Sequence, residues 1–309
     1  STRCKDEGLV ILSDKLREKS NAKEIILKLG EDGIFIHTCN EKGVWKDDRI
    51  KALNDLAVDI SGAGDSLLVA SSMSLALSFN IWEAAYRLDQ TIIYWPAGTV
   101  FVSVVDPGVG TQRRSVVVKT KSGHYIVTPD NGTLTLIAAS LGIDSIREID
   151  EVSNRRKNSE ASYTFHGRDV YAYTAARLAS KTITFELVGQ LLAPKPVLLS
   201  YQKASLSNNT LKGNIDILDI QYGNLWTNIG QDLWKNFVAI PHDKNIIVVK
   251  VLHQQKLVYQ GAMPFENTFG GVAVGKPLAY LNSLMQLSFA LNQGSMAEKF
   301  NIGSGPDWT

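Results

Sequence analysis

Residues 100–115 read VFVSVVDPGVGTQRRS, and the fold of the chain turns on how that apolar run is placed and where it stops. Five of its first six residues are apolar without alternation, the pattern of a strand buried on both faces of a mainly parallel sheet. Asp106-Pro107-Gly108 ends it. An acidic residue at the carboxyl end of a buried strand stands where open α/β sheets bind their ligands, and Arg113 follows just before the next strand, SVVVKT. That strand and HYIVT flank the turn KSG as a hairpin, PDNG at 129–132 opens the helical LTLIAASLG, and His166 precedes a second helix in HGRDVYAYTAARLAS. Together these make an α/β body. After the linker-like LLAPKP, short runs such as NIDILDI, FVAIP, IIVVKVL and KLVYQG alternate with Gly, Asn and Asp turns, which predicts a small antiparallel barrel or sandwich from about residue 200.

Upstream of Thr99 the rhythm is again α/β, with the helical LVILSDKLREKS, the strands IILKL and IFIHT, and then DISGAGDS before a further helix. A Gly-Ala-Gly turn entering a helix leaves backbone N–H groups free at the positive end of the helix dipole, which suits a phosphate. Asp65, beside Gly62, Ala63 and Gly64, is placed to accept a proton from an attacking hydroxyl.

With 309 residues the chain exceeds what one core comfortably fills, so several modules are expected. A formal charge of +1 leaves no basic footprint for nucleic acid, and RRK at 155–157 reads as a solvated loop without function. Cys4 and Cys39 have neither metal-ligand spacing nor the density of a disulfide framework, which points to a reducing, cytoplasmic setting. No run approaches the roughly twenty apolar residues of a membrane span. STRCKDEG is too polar for a signal peptide, and without an initiator Met the expectation is an N-terminus that is missing or processed.

Two resemblances add to this. LGEDG at 29–33 followed by DISGAGD at 59–65 resembles the C-terminal part of the ribokinase-like (PfkB) carbohydrate kinases over about the first 85 residues, with Ile60 where that family usually has Thr. The resemblance implies an anion hole at Gly62, Ala63 and Gly64, a base at Asp65, and Gly30 and Gly33 near ATP with Mg. From about residue 79 to Thr309, VFVSVVDPGVGTQRR, TPDNGTL, FHGRDVYAYTAARLA and the YGN-TNI run of DIQYGNLWTNI resemble the S-adenosyl-L-methionine hydroxide adenosyltransferases. These are relatives of the fluorinating and chlorinating adenosyl-halide synthases.

The second resemblance implies a triad of Asp106, Arg113 and His166 that holds and partly deprotonates a water in line with the C–S bond of S-adenosylmethionine, the substrate, with no metal required. In the halogenating relatives the position of Asp106 resembles a Tyr and that of Val109 a Thr, so Asp106 implies hydrolysis to adenosine and methionine. For the substrate's other end it implies Asp219 on the amino group, Tyr222 and Phe269 flanking the adenosyl moiety, and Asn224 near adenine. Ser283 and Asn292 match polar binding positions, and Leu284 stands where the halogenase carries an Arg for the carboxylate. It also implies a homotrimer with the site between the N-terminal domain of one subunit and the C-terminal domain of the next. The family's opening Thr-Asp-Phe-Gly, whose Asp grips the ribose, has no counterpart, at an expected cost of about 1.5–3 kcal/mol in binding.

The expected order is therefore a ribokinase-like α/β fragment over 1–79, an α/β domain with a mainly parallel sheet over 80–197, and a smaller antiparallel β-barrel-like domain over 198–309. Asn80 to Tyr86 is the seam between the two resemblances. Three functions stay open: hydrolysis of S-adenosylmethionine, phosphorylation of a sugar or nucleoside through Asp65, and a fusion that only binds adenosyl ligands.

Overall fold

The computed structural model describes residues 2–20, 24–28, 34–39, 45–50, 80–219, 221–239 and 246–309. The chain divides into two compact units, Ser1–Ser71 and Ser72–Thr309. In the first, helix α1 (Thr2–Ser20) accompanies an antiparallel meander of β1 (Glu24–Lys28), β2 (Ile34–Cys39) and β3 (Trp45–Ile50). His37 ties helix to sheet: buried and stacked on Trp45, it faces Asp47 at 2.6 Å and Asp14 of the helix at 3.5 Å. The glycine-turn residues Gly30, Gly33, Gly62, Ala63, Gly64 and Asp65 lie outside the described residues, as does the turn that carries the kinase resemblance.

The second unit opens with α2 (Ile81–Ile92), capped by Asn80, whose side chain accepts the Glu83 N–H at 3.1 Å. Its apolar stripe of Trp82, Ala85, Leu88 and Ile92 is spaced for one helix face and is buried. Trp82 also donates its indole N–H to the Asp216 carbonyl at 2.8 Å.

The sheet of this α/β body runs β4-β6-β5-β7-β8, built from β4 (Val100–Val102), β5 (Ser115–Thr120), β6 (Tyr125–Pro129), β7 (Ile143–Glu148) and β8 (Leu191–Leu192). The expected mainly parallel sheet is corrected here. Only β4 and β6 run parallel, while β5–β6, β5–β7 and β7–β8 are antiparallel. The reason is the tight β5–β6 hairpin, which sets two antiparallel neighbours at the centre and leaves β4 to join at β6. The first apolar run is also shorter than it reads: its ladder stops at Val102, with one more bond from the Ser103 N–H to Val127, and the chain then leaves the sheet. Helix α3 (Thr135–Ser140) connects β6 to β7. The predicted second helix begins as a π-helical segment (Gly167–Ala172) before continuing as α4 (Tyr173–Ala179).

The C-terminal half is antiparallel as expected, but among the described residues it does not close into a barrel. It is an open four-stranded sheet ordered β11-β12-β16-β15 with two separate hairpins. Its strands are β11 (Ile215–Leu218), β12 (Leu225–Gly230), β15 (Pro277–Leu281) and β16 (Gln286–Leu291). The hairpins pair β9 (Ser205–Ser207) with β10 (Thr210–Lys212), and β13 (Ile246–His253) with β14 (Lys256–Pro264). FVAIP is not a strand: Phe237 and Val238 end helix α5 (Gln231–Val238), which turns Trp234 into the core and Phe237 against it, and Ile240 and Pro241 lie outside the described residues.

Where α2 meets β11, Trp82, Tyr86 and Ile217 share a core with Leu199, Tyr201 and Leu284. Asp216 adjoins it, 4 % exposed, accepting an amide N–H from Asn214 at 2.9 Å. Burial pushes the Asp216 carboxyl up to about 7, with the Asn214 hydrogen bond opposing the rise and the Asp89 carboxylate adding to it. An acid raised in this way binds its proton more tightly folded than unfolded. Stability therefore falls as pH climbs from the ordinary value near 3.8 to about 7. At 1.36 kcal/mol per unit the fall is at most ~4 kcal/mol. Asp216→Asn is expected to resist urea better than the parent chain at pH 8 and to lose that advantage near pH 4. Unfolding midpoints of the two proteins that run parallel across this range would contradict it.

Candidate active site

The loop after β4 carries Asp106, and its geometry is set by two neighbours. Asn131 of PDNG donates its side-chain amide to the Val105 carbonyl at 2.9 Å while accepting from the Thr133 hydroxyl at 2.8 Å. Arg113 closes on the carboxylate as a fork, Nε to Oδ1 at 2.9 Å and Nη2 to Oδ2. Both side chains are nearly buried, at 6 % and 11 % exposure, so the carboxylate is held by a rigid bidentate partner rather than by water. The third guanidinium nitrogen, Nη1, reaches Ser115 Oγ at 2.8 Å.

From Ser115 the network extends to residues the sequence reading did not single out. Its hydroxyl lies 2.7 Å from Glu151 Oε1 and 3.1 Å from the Tyr171 hydroxyl, and the Arg113 guanidinium sits 5.5 Å from the centre of the Tyr171 ring. Burial pushes the Tyr171 phenol well above its ordinary range, which keeps it a neutral hydroxyl. Glu151 Oε2 meets His166 Nε2 at 3.2 Å and Arg155 Nη2 at 3.3 Å. The π-helical turn makes this convergence possible. In an α-helix positions five apart point about 140° away from each other. The wider i→i+5 turn lets His166 and Tyr171 reach the same chain of groups.

The expected triad is thus brought together in two ways. Asp106 and Arg113 are in direct contact, while His166 joins them through Glu151 and Ser115. The reading of RRK as a solvated loop is corrected at its first residue: the Arg155 side chain is 7 % exposed and stacks 4.5 Å from the Tyr163 ring centre.

The expected substrate contacts gather elsewhere in the second unit. A cavity of about 1190 Å³ is lined by Asp219, Tyr222, Asn224, Phe269 and Asn292, together with Arg87 at the outer face of α2. Asn224 and Asn292 are buried, and Tyr222 and Phe269 stand 63 % and 42 % exposed, large aromatic faces open to a ligand or another chain. Gly223 shapes this rim. Its φ of +64° suits glycine, and its missing Cβ leaves room for Ser295, the cap of the last helix, α6 (Met296–Phe300). Ser283 does not line the cavity but is exposed on the β15–β16 turn, and Leu284 packs into the Trp82 core. None of Asp106, Arg113, Glu151 and His166 lines the cavity. Among the described residues no group of three His, Cys, Asp or Glu could hold a metal ion, and no helix is long and apolar enough to cross a membrane.

A side chain at Gly223 would place its Cβ 2.0 Å from Ser295 Oγ. Gly223→Ala is therefore expected to displace the cap and cost about 1–2 kcal/mol of stability. Denaturant unfolding of this variant within about 0.3 kcal/mol of the parent chain would show that the loop relaxes freely.

Residues 69–189 match the S-adenosyl-L-methionine hydroxide adenosyltransferase N-terminal domain and residues 213–309 the C-terminal domain of the same family. An (R)-S-adenosyl-L-methionine hydrolase of Methanocaldococcus jannaschii is 49 % identical over 100 residues, which cover 32 % of this chain and 36 % of that one. One from Salinispora tropica is 33 % identical over 229 residues, covering 73 % of this chain and 79 % of that one. The solved structure of an uncharacterized conserved protein from Thermotoga maritima superposes with a TM-score of 0.63 at 32 % identity, covering 81 % of this chain and 95 % of the other. The chain belongs to the S-adenosyl-L-methionine hydroxide adenosyltransferase family.

Proposed function

We propose that this member of the family hydrolyses S-adenosyl-L-methionine to adenosine and L-methionine. The observation that carries the reading is the buried fork of Arg113 on Asp106 at the end of β4, inside the matched N-terminal domain. The sulfonium already carries a good leaving group. What the reaction lacks is an oriented nucleophile, and a carboxylate that cannot rotate is suited to aim a water. In the step proposed, the water oxygen forms a bond to ribose C5′ while the C–S bond breaks, its electron pair leaving on the sulfur of methionine. The water proton passes to the Asp106–His166 side of the site, where His166 serves as base. Halide addition is disfavoured because the Asp106 carboxylate repels an anion.

The remaining substrate atoms belong, in this reading, to the cavity of the C-terminal half: Asp219 for the amino group, Tyr222 and Phe269 for the adenosyl faces, Asn224 for adenine, and Asn292 as a polar contact. The Asp106 network is absent from that cavity lining, which supports sites shared between subunits, in a homotrimer where one chain gives the Asp106 face and its neighbour the cavity. Phosphorylation through Asp65 has no support in the matched families.

Product analysis tests the reaction. Incubation with S-adenosylmethionine is expected to yield adenosine, with Asp106→Asn slower by about 10²-fold or more. Equal rates would remove Asp106 from the mechanism, and a 5′-chloro nucleoside formed in chloride would replace hydrolysis with halogenation. Shared sites are tested by co-expressing Asp106→Asn with Asp219→Ala chains. Each alone is expected to be impaired, and mixed assemblies to recover part of the activity by forming some intact sites. Without recovery, each site would lie within one chain.

A further inference from the structure

We propose that Arg87 binds the carboxylate at the methionine end of the substrate, and so makes this chain select a sulfonium that carries an amino-acid end over one that lacks the carboxylate. The inference rests on the reading above, which places the substrate in the cavity of the C-terminal half and gives its carboxylate no partner. S-Adenosylmethionine brings three charges to such a cavity: a sulfonium, an ammonium and a carboxylate. Among the described residues that line it, the charged side chains are Glu83, Arg87, Asp219 and Glu298. Asp219 is set against the ammonium, and Glu83 and Glu298 give the lining the negative sign that a sulfonium favours. Arg87 alone has the sign that a carboxylate needs.

The helix explains why this residue faces the cavity. Asn80, Glu83 and Arg87 stand at i, i+3 and i+7, one face of α2, and all three line the cavity, while Trp82, Ala85 and Leu88 are buried on the other side. That buried side fixes the helix against β11. Trp82, Tyr86 and Ile217 share a core, and the Trp82 indole donates to the Asp216 carbonyl at 2.8 Å. Asp219 follows β11 directly, and an α-amino acid carries its ammonium and carboxylate on one carbon, so their partners must come from neighbouring elements. Here those elements are α2 and the end of β11.

The guanidinium is half-buried and only partly engaged. Its Nη1 donates to Gln90 Oε1 at 2.8 Å, and its centre lies 5.7 Å from that of the Tyr86 ring. Among the described residues it forms no ion pair, although three acids line the same cavity. The Nε–Nη2 edge is therefore available, and it is the edge with which Arg113 forks onto Asp106. The position at which the resemblance to halogenating relatives expects a carboxylate partner, Leu284, is apolar and packs against the Trp82 core on α2. The missing cation of that turn is thus supplied by the helix it packs on.

Equilibrium binding of S-adenosylmethionine and of its decarboxylated analogue, which keeps both cationic centres, tests the assignment in the parent chain and in Arg87→Gln. The parent is expected to bind the full substrate about tenfold or more tightly than the analogue. Arg87→Gln is expected to weaken the full substrate by about tenfold or more and to leave the analogue unchanged or tighter, since an unpaired cation is removed from its site. Arg87→Lys, with the charge but not the fork, is expected to fall between them. A parent chain without preference for the carboxylate, or a variant that weakens both ligands alike, would overturn the proposal. A chain that binds neither ligand would overturn it together with the hydrolytic reading. If the carboxylate preference depends on Arg87 but no adenosine forms, the hydrolytic reading fails while the role of Arg87 stands.

Discussion

A carboxylate removed from water must be met by fixed donors or lose its charge, and the fork of Arg113 on Asp106 is where this molecule satisfies that condition. Much of the α/β body can be read as support for that one pair. The hairpin of β5 and β6 places Arg113 just before β5 and Asn131 just after β6, so the residues on either side of the hairpin converge on the loop that leaves β4. Asn131 pins the backbone before Asp106, and Gly132, at φ +112°, gives the turn the room that Leu199 would otherwise deny. A lysine in place of Arg113 would supply the charge but neither the two parallel bonds nor the third contact to Ser115.

The same guanidinium makes the site larger than a pair. Its remaining nitrogen engages Ser115, and from there a line of hydroxyl, carboxylate and imidazole runs to the π-helical turn. Such networks gain from full satisfaction and lose heavily from a single gap. Every link from Arg113 to Glu151 is matched, and the unfilled positions, Nδ1 of His166 and Nη1 of Arg155, lie at its far end. The core beneath, with Val117, Val127 and Val170, is apolar.

How much of this could be read from the residues follows from what each signal depends on. Asp106 and Arg113 stood out through the order of motifs VFVSVVDPGVGTQRR, TPDNGTL and FHGRDVYAYTAARLA that the resemblance rests on, since alone Asp-Pro-Gly is a common turn and Arg113 an ordinary surface cation. The hairpin and helices were visible because their patterns are local. Parallel and antiparallel were not separable, since a run such as VFVSVV reads the same in either setting and only the pairing of β5 with β6 and β7 decides it. FVAIP looked like a strand because its two ends were read without Trp234, whose spacing from Phe237 makes it part of a helix face. Glu151 and Arg155 were illegible in DEVSNRRKNSE, a stretch as polar as any solvated loop. Their partners stand thirty-six and eleven positions away, and only the fold brings them near.

The central claim is that water, aimed by Asp106, becomes the 5′ hydroxyl of adenosine, and turnover in heavy-oxygen water tests it most directly. The account predicts adenosine whose 5′ oxygen carries the heavy isotope and methionine that carries none. Adenosine formed with unlabelled oxygen, or a 5′-halo nucleoside in its place, would contradict it.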